Sequence, residues 1–222
     1  MISVRVKELK DMISKARANT EKRKFTQAVE LIITLKDVDI KKGFSLNEVI
    51  TLPHPLTKKP KLCLIATGDL ALRAKNAGID RVIEPDELAI IGSNKRGAKK
   101  LANEYDFFLA ETSYMANVGK SLGQVLGPRG KMATPVPFNA PIDAIINRFR
   151  SSVRVRLRRQ MMIACKIGYE DMSDDQLAEN AMAVINAIEG KLPNGDKNIR
   201  DIIVKFTMGK PVKLSNLLVK VA

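Results

Sequence analysis

Histidine, cysteine and long apolar runs are scarce in this 222-residue chain. One histidine and two separated cysteines cannot build a usual His/Cys zinc site, so we expect no metal. No apolar run approaches the roughly 18 residues of a membrane span, so we expect no membrane attachment. The N-terminus is charged at once and lacks an apolar signal region, which is typical of an intracellular protein.

The two cysteines, Cys63 and Cys165, each sit within an apolar run. This placement predicts buried thiols in a reducing compartment rather than a disulfide framework. Only 13 glycines and 10 prolines occur, which excludes a collagenous or low-complexity chain. The composition, 45% hydrophobic and 28% charged, is that of a globular protein.

Positive charge is abundant: 38 Lys and Arg against 24 Asp and Glu give a net charge of +14. The surplus is +4 in residues 1–56, +6 in 57–150 and +4 in 151–222, so it covers the folded chain rather than one tail. Such a field favours polyanionic partners without identifying them. It therefore favours nucleic acid over a merely basic enzyme.

Hydrophobic patterning divides the chain into two kinds of region. Both flanks combine a helix with strands of alternating polarity, whereas the middle alternates short apolar strands with helices. The simplest explanation is a split α+β domain with an antiparallel sheet, residues 1–56 and 151–222. A parallel α/β domain, residues 57–150, interrupts it, which makes the fold α/β (α+β) overall.

Several elements are predicted specifically. A helix is expected over 3–19, a strand over 24–36, and a helix over 112–126 that stops at Gly127-Pro128. In the strand that starts at Ser152, Val153, Val155 and Leu157 alternate with arginines, so one face is apolar and the other is a row of guanidinium groups. The following strand, 161–167, is expected to pair with it in antiparallel fashion.

The usual signatures of catalysis and nucleotide binding are missing. The turn Thr67-Gly68-Asp69 has one glycine and an acid, whereas a dinucleotide turn needs several glycines. Gly119-Lys120-Ser121 resembles the end of a P-loop but lies within a predicted helix. His54 stands between prolines, typical of a turn. We expect no cofactor and no catalytic site, and a ligand- or nucleotide-binding α/β enzyme is the rival hypothesis.

Two short segments combine cations with flat or small groups, as RNA-binding surfaces do. In residues 22–27, three cations precede Phe25 and a threonine; the alternative is a solvated turn with Phe25 in the core. In residues 205–211, Gly209 lets the backbone approach a partner closely; the alternative is an ordinary hairpin turn.

A third segment, residues 127–132, carries two glycines and two cations. It would either hold phosphate or form a stiff connection between domains.

These segments carry a family resemblance. Lys24-Phe25-Thr26-Gln27, Leu126 to Met132 and Phe206 to Pro211 closely resemble, in order and separation, signature stretches of the large-subunit ribosomal protein L1 family. The resemblance spans essentially the whole chain. Because the chain has no bacterial-type extensions, it resembles the archaeal or eukaryotic branch of the family.

The resemblance implies both fold and function. It implies an RNA-binding domain made from both chain ends, an inserted Rossmann-like domain without a nucleotide, and a place on the mobile ribosomal stalk. The implied partners are large-subunit rRNA, exit-site tRNA and the protein's own mRNA, whose translation it would repress. Ala28 stands where the family is expected to have a hydroxyl residue. The positions that match the family's rRNA contact surface are Lys24, Phe25, Thr26, Glu30, Thr207, Met208 and Gly209.

Further cations complete the predicted site. Long-range attraction to RNA is assigned to Lys22, Arg23, Lys24, Arg158, Arg159 and Lys210. The predicted hinge or loop residues are Pro53, Gly127, Arg129, Gly130 and Lys131. We expect a non-enzymatic rRNA-binding protein of the cytoplasmic ribosome, monomeric when free, that assists release of deacylated tRNA. A second alternative is a general nucleic-acid binder with little preference for structured rRNA.

Overall fold

A computed structural model describes residues 6–39, 44–157 and 160–215. The described chain forms two compact units, each with its own hydrophobic core. One unit joins the residues up to Lys58 with those from Ser151 onward, and the other is Lys59–Arg150. The partition predicted from the sequence differs from these bounds by two residues at one edge.

The helices and strands are numbered along the chain. The helices are α1 (Val6–Ala18), α2 (Gly68–Asn76), α3 (Pro85–Ser93), α4 (Lys95–Glu104), α5 (Met115–Arg129), α6 (Ile142–Arg150) and α7 (Asp174–Glu189). The strands are β1 (Ala28–Leu35), β2 (Leu46–Thr51), β3 (Leu62–Ile65), β4 (Arg81–Ile83), β5 (Phe107–Glu111), β6 (Thr134–Val136), β7 (Ser152–Leu157), β8 (Met162–Tyr169), β9 (Ile199–Phe206) and β10 (Val212–Lys213). Short 3-10 turns occupy Thr112–Tyr114 and Gly195–Asn198.

The split unit is built on an antiparallel sheet in the order β10-β9-β1-β8. Strand β1 is central, and its residues alternate between buried and half-buried. The buried set, which includes Val29, Leu31 and Ile33, belongs to the core shared with α1 and α7. This alternation follows from the two-residue period of a strand with one face on a core.

Helix α7 begins with a capping box. The Ser173 hydroxyl accepts a hydrogen bond from the backbone N–H of Gln176, and the Gln176 side chain accepts one from the backbone N–H of Ser173. This reciprocal pair satisfies two amides that would otherwise lack partners at the helix start. One face of the helix forms an apolar stripe that is buried in the core: Leu177, Ala181, Val184 and Ile188.

One predicted strand pair is wrong. Strand β7 pairs with β2, antiparallel, in a separate two-stranded sheet, and among the described residues no strand pairing joins it to β8. Strand β8 pairs instead with β1. Apolar residues of β7, β2, β8 and β1 all belong to the core of the split unit, so partners distant in sequence replace the hairpin between neighbouring strands.

The inserted unit has a four-stranded, all-parallel sheet in the order β4-β3-β5-β6. Strands β3 and β5 are buried along nearly their whole length, as expected for a parallel sheet covered by helices. The core between sheet and helices includes Phe108, Leu122 and Leu126. The mixed α/β class predicted from the sequence, with a parallel insert, is confirmed.

Two predicted boundaries shift. Strand β1 begins at Ala28 rather than at residue 24, so the cationic segment before it is not part of the sheet. Helix α5 continues through Gly127 and Pro128 to Arg129, and it ends at Gly130 with φ 68°. A glycine adopts this left-handed backbone without steric cost, so Gly130, not Gly127, terminates the helix.

Candidate nucleic-acid interface

The turn after β9 packs against the segment that precedes β1, although the two lie about 180 residues apart in the chain. The backbone N–H of Thr207 donates to the Ala28 carbonyl at 3.0 Å. The Thr207 hydroxyl accepts from the Ala28 N–H at 3.1 Å and donates to the Ala28 carbonyl at 3.2 Å. Thr207 therefore extends the β1–β9 ladder and fixes where the turn starts.

Gln27 anchors the next residue of the turn. Its side-chain oxygen accepts from the Met208 N–H at 3.1 Å, and its amide nitrogen donates to the Glu21 carbonyl at 3.0 Å. The residue is 1% exposed. The Gln27 amide therefore positions Met208 and does not present itself to a ligand.

The predicted close approach at Gly209 is made within the chain. A Cβ at this position would overlap the hydroxyl of Thr20, which in turn donates to the Ala16 carbonyl at 2.6 Å. The glycine is thus required by packing against the end of α1, whether or not a ligand also approaches. Sequence reasoning missed Thr20, because nothing in its local pattern connects it with a turn 189 residues away.

Two apolar side chains remain outside this scaffold. Met208 is 61% exposed and Phe25 is 51% exposed, while neighbouring Phe206 is buried. The alternative in which Phe25 belongs to the core is therefore wrong. An exposed apolar side chain on a turn whose backbone is fixed by hydrogen bonds, as at Met208, is available to contact a partner.

Cations flank these two residues in the sequence. Lys22, Arg23, Lys24 and Lys210 are all exposed. Arg23 forms a surface ion pair with Glu21 at 2.9 Å, a type of contact that contributes less than about 1 kcal/mol and opens readily. Thr26, between Phe25 and Gln27, is half-buried. We call the surface formed by residues 22–26 and 207–210 the turn surface.

The predicted carboxylate at Glu30 has cationic neighbours on both adjacent strands. Glu30 lies opposite Lys205 on β9 and opposite Lys166 on β8. The Lys205 Nζ is 4.0 Å from the Glu30 carboxylate. The acidic group therefore sits in a basic row and does not form an isolated negative spot.

The arginine row on β7 is partly buried. Burial, followed by the nearby positive charge of Arg156, lowers the pKa of Arg154. Arg154 and Arg156 are both half-buried, whereas Val153, Val155 and Leu157 are buried, as the alternation predicts. Arg158 and Arg159, which we assigned to RNA attraction, lie outside the described residues.

The glycine- and cation-containing segment at the end of α5 serves its own unit. The Lys131 Nζ donates to the carbonyls of Ala102 at 2.9 Å and Tyr105 at 2.7 Å, which lie at the C-terminal end of α4. The Arg129 guanidinium donates to the Val125 carbonyl at 3.3 Å. The Lys131 ammonium is thus placed to neutralise the negative end of a helix.

Pro53, predicted as a hinge residue, lies in an anchored stretch. The next residue, His54, donates its N–H to the Asn180 side chain at 2.9 Å and accepts from the same amide at 3.0 Å. Leu52 and Leu56 on either side are buried in the core of the split unit. This stretch is held to α7 by both hydrogen bonds and packing.

Neither of the two segments of the inserted unit that partly resemble nucleotide-binding motifs, residues 67–69 and 119–121, forms a nucleotide-binding loop. Asp69 forms an ion pair with Arg73 at 2.7 Å, one turn along α2. Gly119 and Lys120 lie in the middle of α5, as predicted. Within the described residues, no group of three or more His, Cys, Asp or Glu is arranged to bind a metal ion, and no helix has the length and apolarity to cross a bilayer.

Comparison with known proteins decides the family. The profile of the ribosomal protein L1p/L10e family matches residues 15–210, which include both chain regions of the turn surface. The chain belongs to the ribosomal protein L1p/L10e family.

Its archaeal relatives in this L1p/L10e family are similar along nearly their whole length. The large ribosomal subunit protein uL1 of Cenarchaeum symbiosum is 54% identical over 209 residues, covering 94% of this chain and 96% of the relative. That of Thermofilum pendens is 51% identical over 215 residues, covering 96% and 95%. That of Staphylothermus marinus is 44% identical over 208 residues, covering 93% and 96%. The predicted resemblance to the archaeal type of the L1 family is confirmed. Because this family is structural and non-enzymatic, the hypothesis of a ligand- or nucleotide-binding enzyme is set aside.

Proposed function

We propose that this L1-family protein is a structural component of the large ribosomal subunit and binds rRNA through the turn surface. Family membership supports the ribosomal role and a location on the cytoplasmic ribosome. The one observation that carries the choice of surface is the bond from the Met208 N–H to the Gln27 amide, which joins two remote chain regions and leaves Met208 and Phe25 exposed.

The chemistry of the turn surface suits a folded RNA. Its cations attract any polyanion at long range, in proportion to the phosphates neutralised. Burying what remains exposed of Met208 or Phe25 against ribose or base would add about 1 kcal/mol each. Only an RNA whose sugar and base surfaces fit the turn gains that increment, so the apolar pair supplies specificity and the charges supply attraction.

Two finer roles accompany this proposal. The protein assists the release of deacylated tRNA from the exit site, and it represses translation by binding a similar structure in its own mRNA. The messenger RNA would bind the same turn surface as rRNA, so the ribosomal and messenger sites would compete for one set of side chains. A reporter carrying the protein's own mRNA leader should then be repressed by the wild type and released by Met208→Asp.

Footprinting on large-subunit rRNA is the direct test. The wild type should protect one structured segment, and filter binding should favour that segment over a random duplex of equal length at moderate salt. Equal affinity for both RNAs, with the same steep salt dependence, would instead indicate a general nucleic-acid binder. A ribosomal large subunit reconstituted without the protein provides the control footprint.

A further inference from the structure

A cavity of about 300 Å³ opens beside the turn surface. Its wall is formed by the end of α1, the segment leading into β1, and the end of β9; Glu170, just after β8, completes it. The volume lies at the small end of the range for small-molecule sites, about 300–1,000 Å³.

One wall of this cavity is a flat cation held over a ring. The Arg17 guanidinium lies 5.3 Å from the centroid of the Phe206 ring. Its nitrogens donate to the carbonyls of Glu170 at 2.6 Å and Met172 at 2.9 Å and to the Asp174 carboxylate at 2.9 Å. Because these bonds occupy its nitrogens, the Arg17 guanidinium is better placed to stack on a planar ligand than to bind a phosphate.

The remaining polar wall accepts hydrogen bonds more than it donates them. Glu21 and Glu170 contribute acidic residues, whereas the Thr20 hydroxyl donates to the Ala16 carbonyl and packs against Gly209. Lys22 is the one lysine among the described residues that line the wall. A pocket of acceptors within a protein of net charge +14 is unsuited to the phosphate backbone, which is attracted everywhere else.

We propose that this cavity receives one unstacked guanine base of the bound RNA; this rests on the proposed function. Guanine presents two adjacent donors, N1–H and the N2 amino group, which pair with a carboxylate, and its ring stacks on guanidinium and aromatic planes. Glu170 is the proposed pairing residue, because it lines the cavity, whereas the carboxylate of Glu21, the other acidic residue of the wall, is ion-paired with Arg23. Hydrogen bonds of its backbone N–H to the Gln27 carbonyl and of its carbonyl from Arg17 fix the position of the Glu170 backbone. Lys22 at the rim faces the phosphate of the same nucleotide.

The proposal predicts that removing the Glu170 carboxylate weakens RNA binding, whereas net charge alone predicts that it strengthens binding. Removing a carboxylate from a surface that binds a polyanion strengthens binding if only the overall field matters. If the Glu170 carboxylate pairs with a base, Glu170→Gln weakens binding by about tenfold, because a hydrogen-bonded charged group is lost. The matched control is Glu104→Gln, which removes an exposed carboxylate from the inserted unit and should change affinity less than twofold.

The test uses the full chain and a transcript of the footprinted rRNA segment, with inosine replacing each unpaired guanosine in turn. Inosine lacks the N2 amino group, so one position should cost the wild type about fivefold and cost Glu170→Gln little further. Tighter or unchanged binding by Glu170→Gln, or no inosine-sensitive position, overturns the base pocket. If Met208→Asp still abolishes specific binding, that result leaves the proposed function standing; if Met208→Asp also binds normally, the turn surface itself is wrong.

Discussion

The turn after β9 and the end of α5 are both short, glycine-containing and cationic, yet they are used in opposite ways. In residues 207–210, backbone groups are bonded internally, and Met208 and Lys210 face solvent. At the end of α5, Lys131 turns inward to two carbonyls at the end of α4. Similar composition thus yields a recognition surface in one unit and a helix cap in the other.

The difference lies in what each glycine permits. Gly209 allows the turn to pack on Thr20, and the Met208 side chain next to it is exposed. Gly130 ends α5 in a left-handed conformation, and Lys131 after it donates to carbonyls at the end of α4. A cation is available to a ligand only where the fold leaves carbonyl acceptors out of its reach.

Met208→Asp, in the turn after β9, is the variant from which we expect the largest loss of RNA affinity. It removes the exposed apolar contact and places a carboxylate against phosphates, so affinity for the footprinted rRNA segment should fall more than about 100-fold, or about 3 kcal/mol. Filter binding measures it, and circular dichroism checks that the fold is intact.

The matched control for this variant is Lys99→Ala, which removes an exposed cation from α4 and should cost less than about threefold. Equal losses in the two variants would mean that diffuse charge alone binds the RNA.

Lys131→Met tests whether Lys131 stabilises the fold, in contrast to Lys210, which we expect to bind RNA. Deleting the ammonium leaves two carbonyls at the end of α4 without their donor, so the free energy of unfolding of the inserted unit should fall by about 2 kcal/mol. RNA affinity should stay within twofold. Urea unfolding and filter binding are measured on the same preparation.

Lys210→Met is the reciprocal variant. It should leave unfolding unchanged and reduce the slope of log K against log salt by about 0.9, the loss of one phosphate contact. A stability loss in Lys210→Met, or a changed salt slope in Lys131→Met, contradicts the assignment of the two lysines.

Gly209→Ala tests whether packing on Thr20 determines the turn. The added methyl overlaps the Thr20 hydroxyl, so unfolding should cost about 1–2 kcal/mol less and RNA binding should weaken with the displaced turn. The double variant Gly209→Ala/Thr20→Ala removes the overlapping hydroxyl and should recover at least half of both losses. No recovery of stability would contradict the assignment to Thr20, and recovery of stability without recovery of RNA affinity would place a further constraint on the RNA side.

The smallest effect compares the two units through one buried thiol in each, Cys63 and Cys165. Burial raises the pKa of both thiols to about 12. The unfolded pKa is about 8.5, so the folded state holds its protons longer and stability is lost as pH rises above that value, by about 1.4 kcal/mol per thiol at pH 9.5.

Iodoacetamide labelling at pH 8 measures the same protection. Neither thiol should react in the folded protein, and in rising urea the order of labelling gives the order in which the units open. Rapid labelling of either cysteine without denaturant would contradict its burial.

Much of the architecture follows from local sequence. The two-residue alternation of β1 and β7, the stripe of α7 and the apolar runs of β3 and β5 each fix an element and its buried face. Strand partners do not follow, because the alternation of β7 suits pairing with β2 or with β8 equally well, and the partner is decided only when the core of the split unit assembles. The end of α5 was misplaced because a proline after a glycine usually stops a helix, yet this one continues to Arg129.

The candidate site divides in the same way. The sequence by itself determined its charge, its apolar pair and the family to which it belongs, since these depend on residue type and order. Tertiary structure decided that Gln27 is a buried anchor, that Thr20 demands a glycine at 209, that Phe25 is exposed, and that Lys131 is a cap. The physical reason is that hydrogen-bond partners and steric neighbours come from segments more than a hundred residues away, or from another helix, and local patterns carry no record of them.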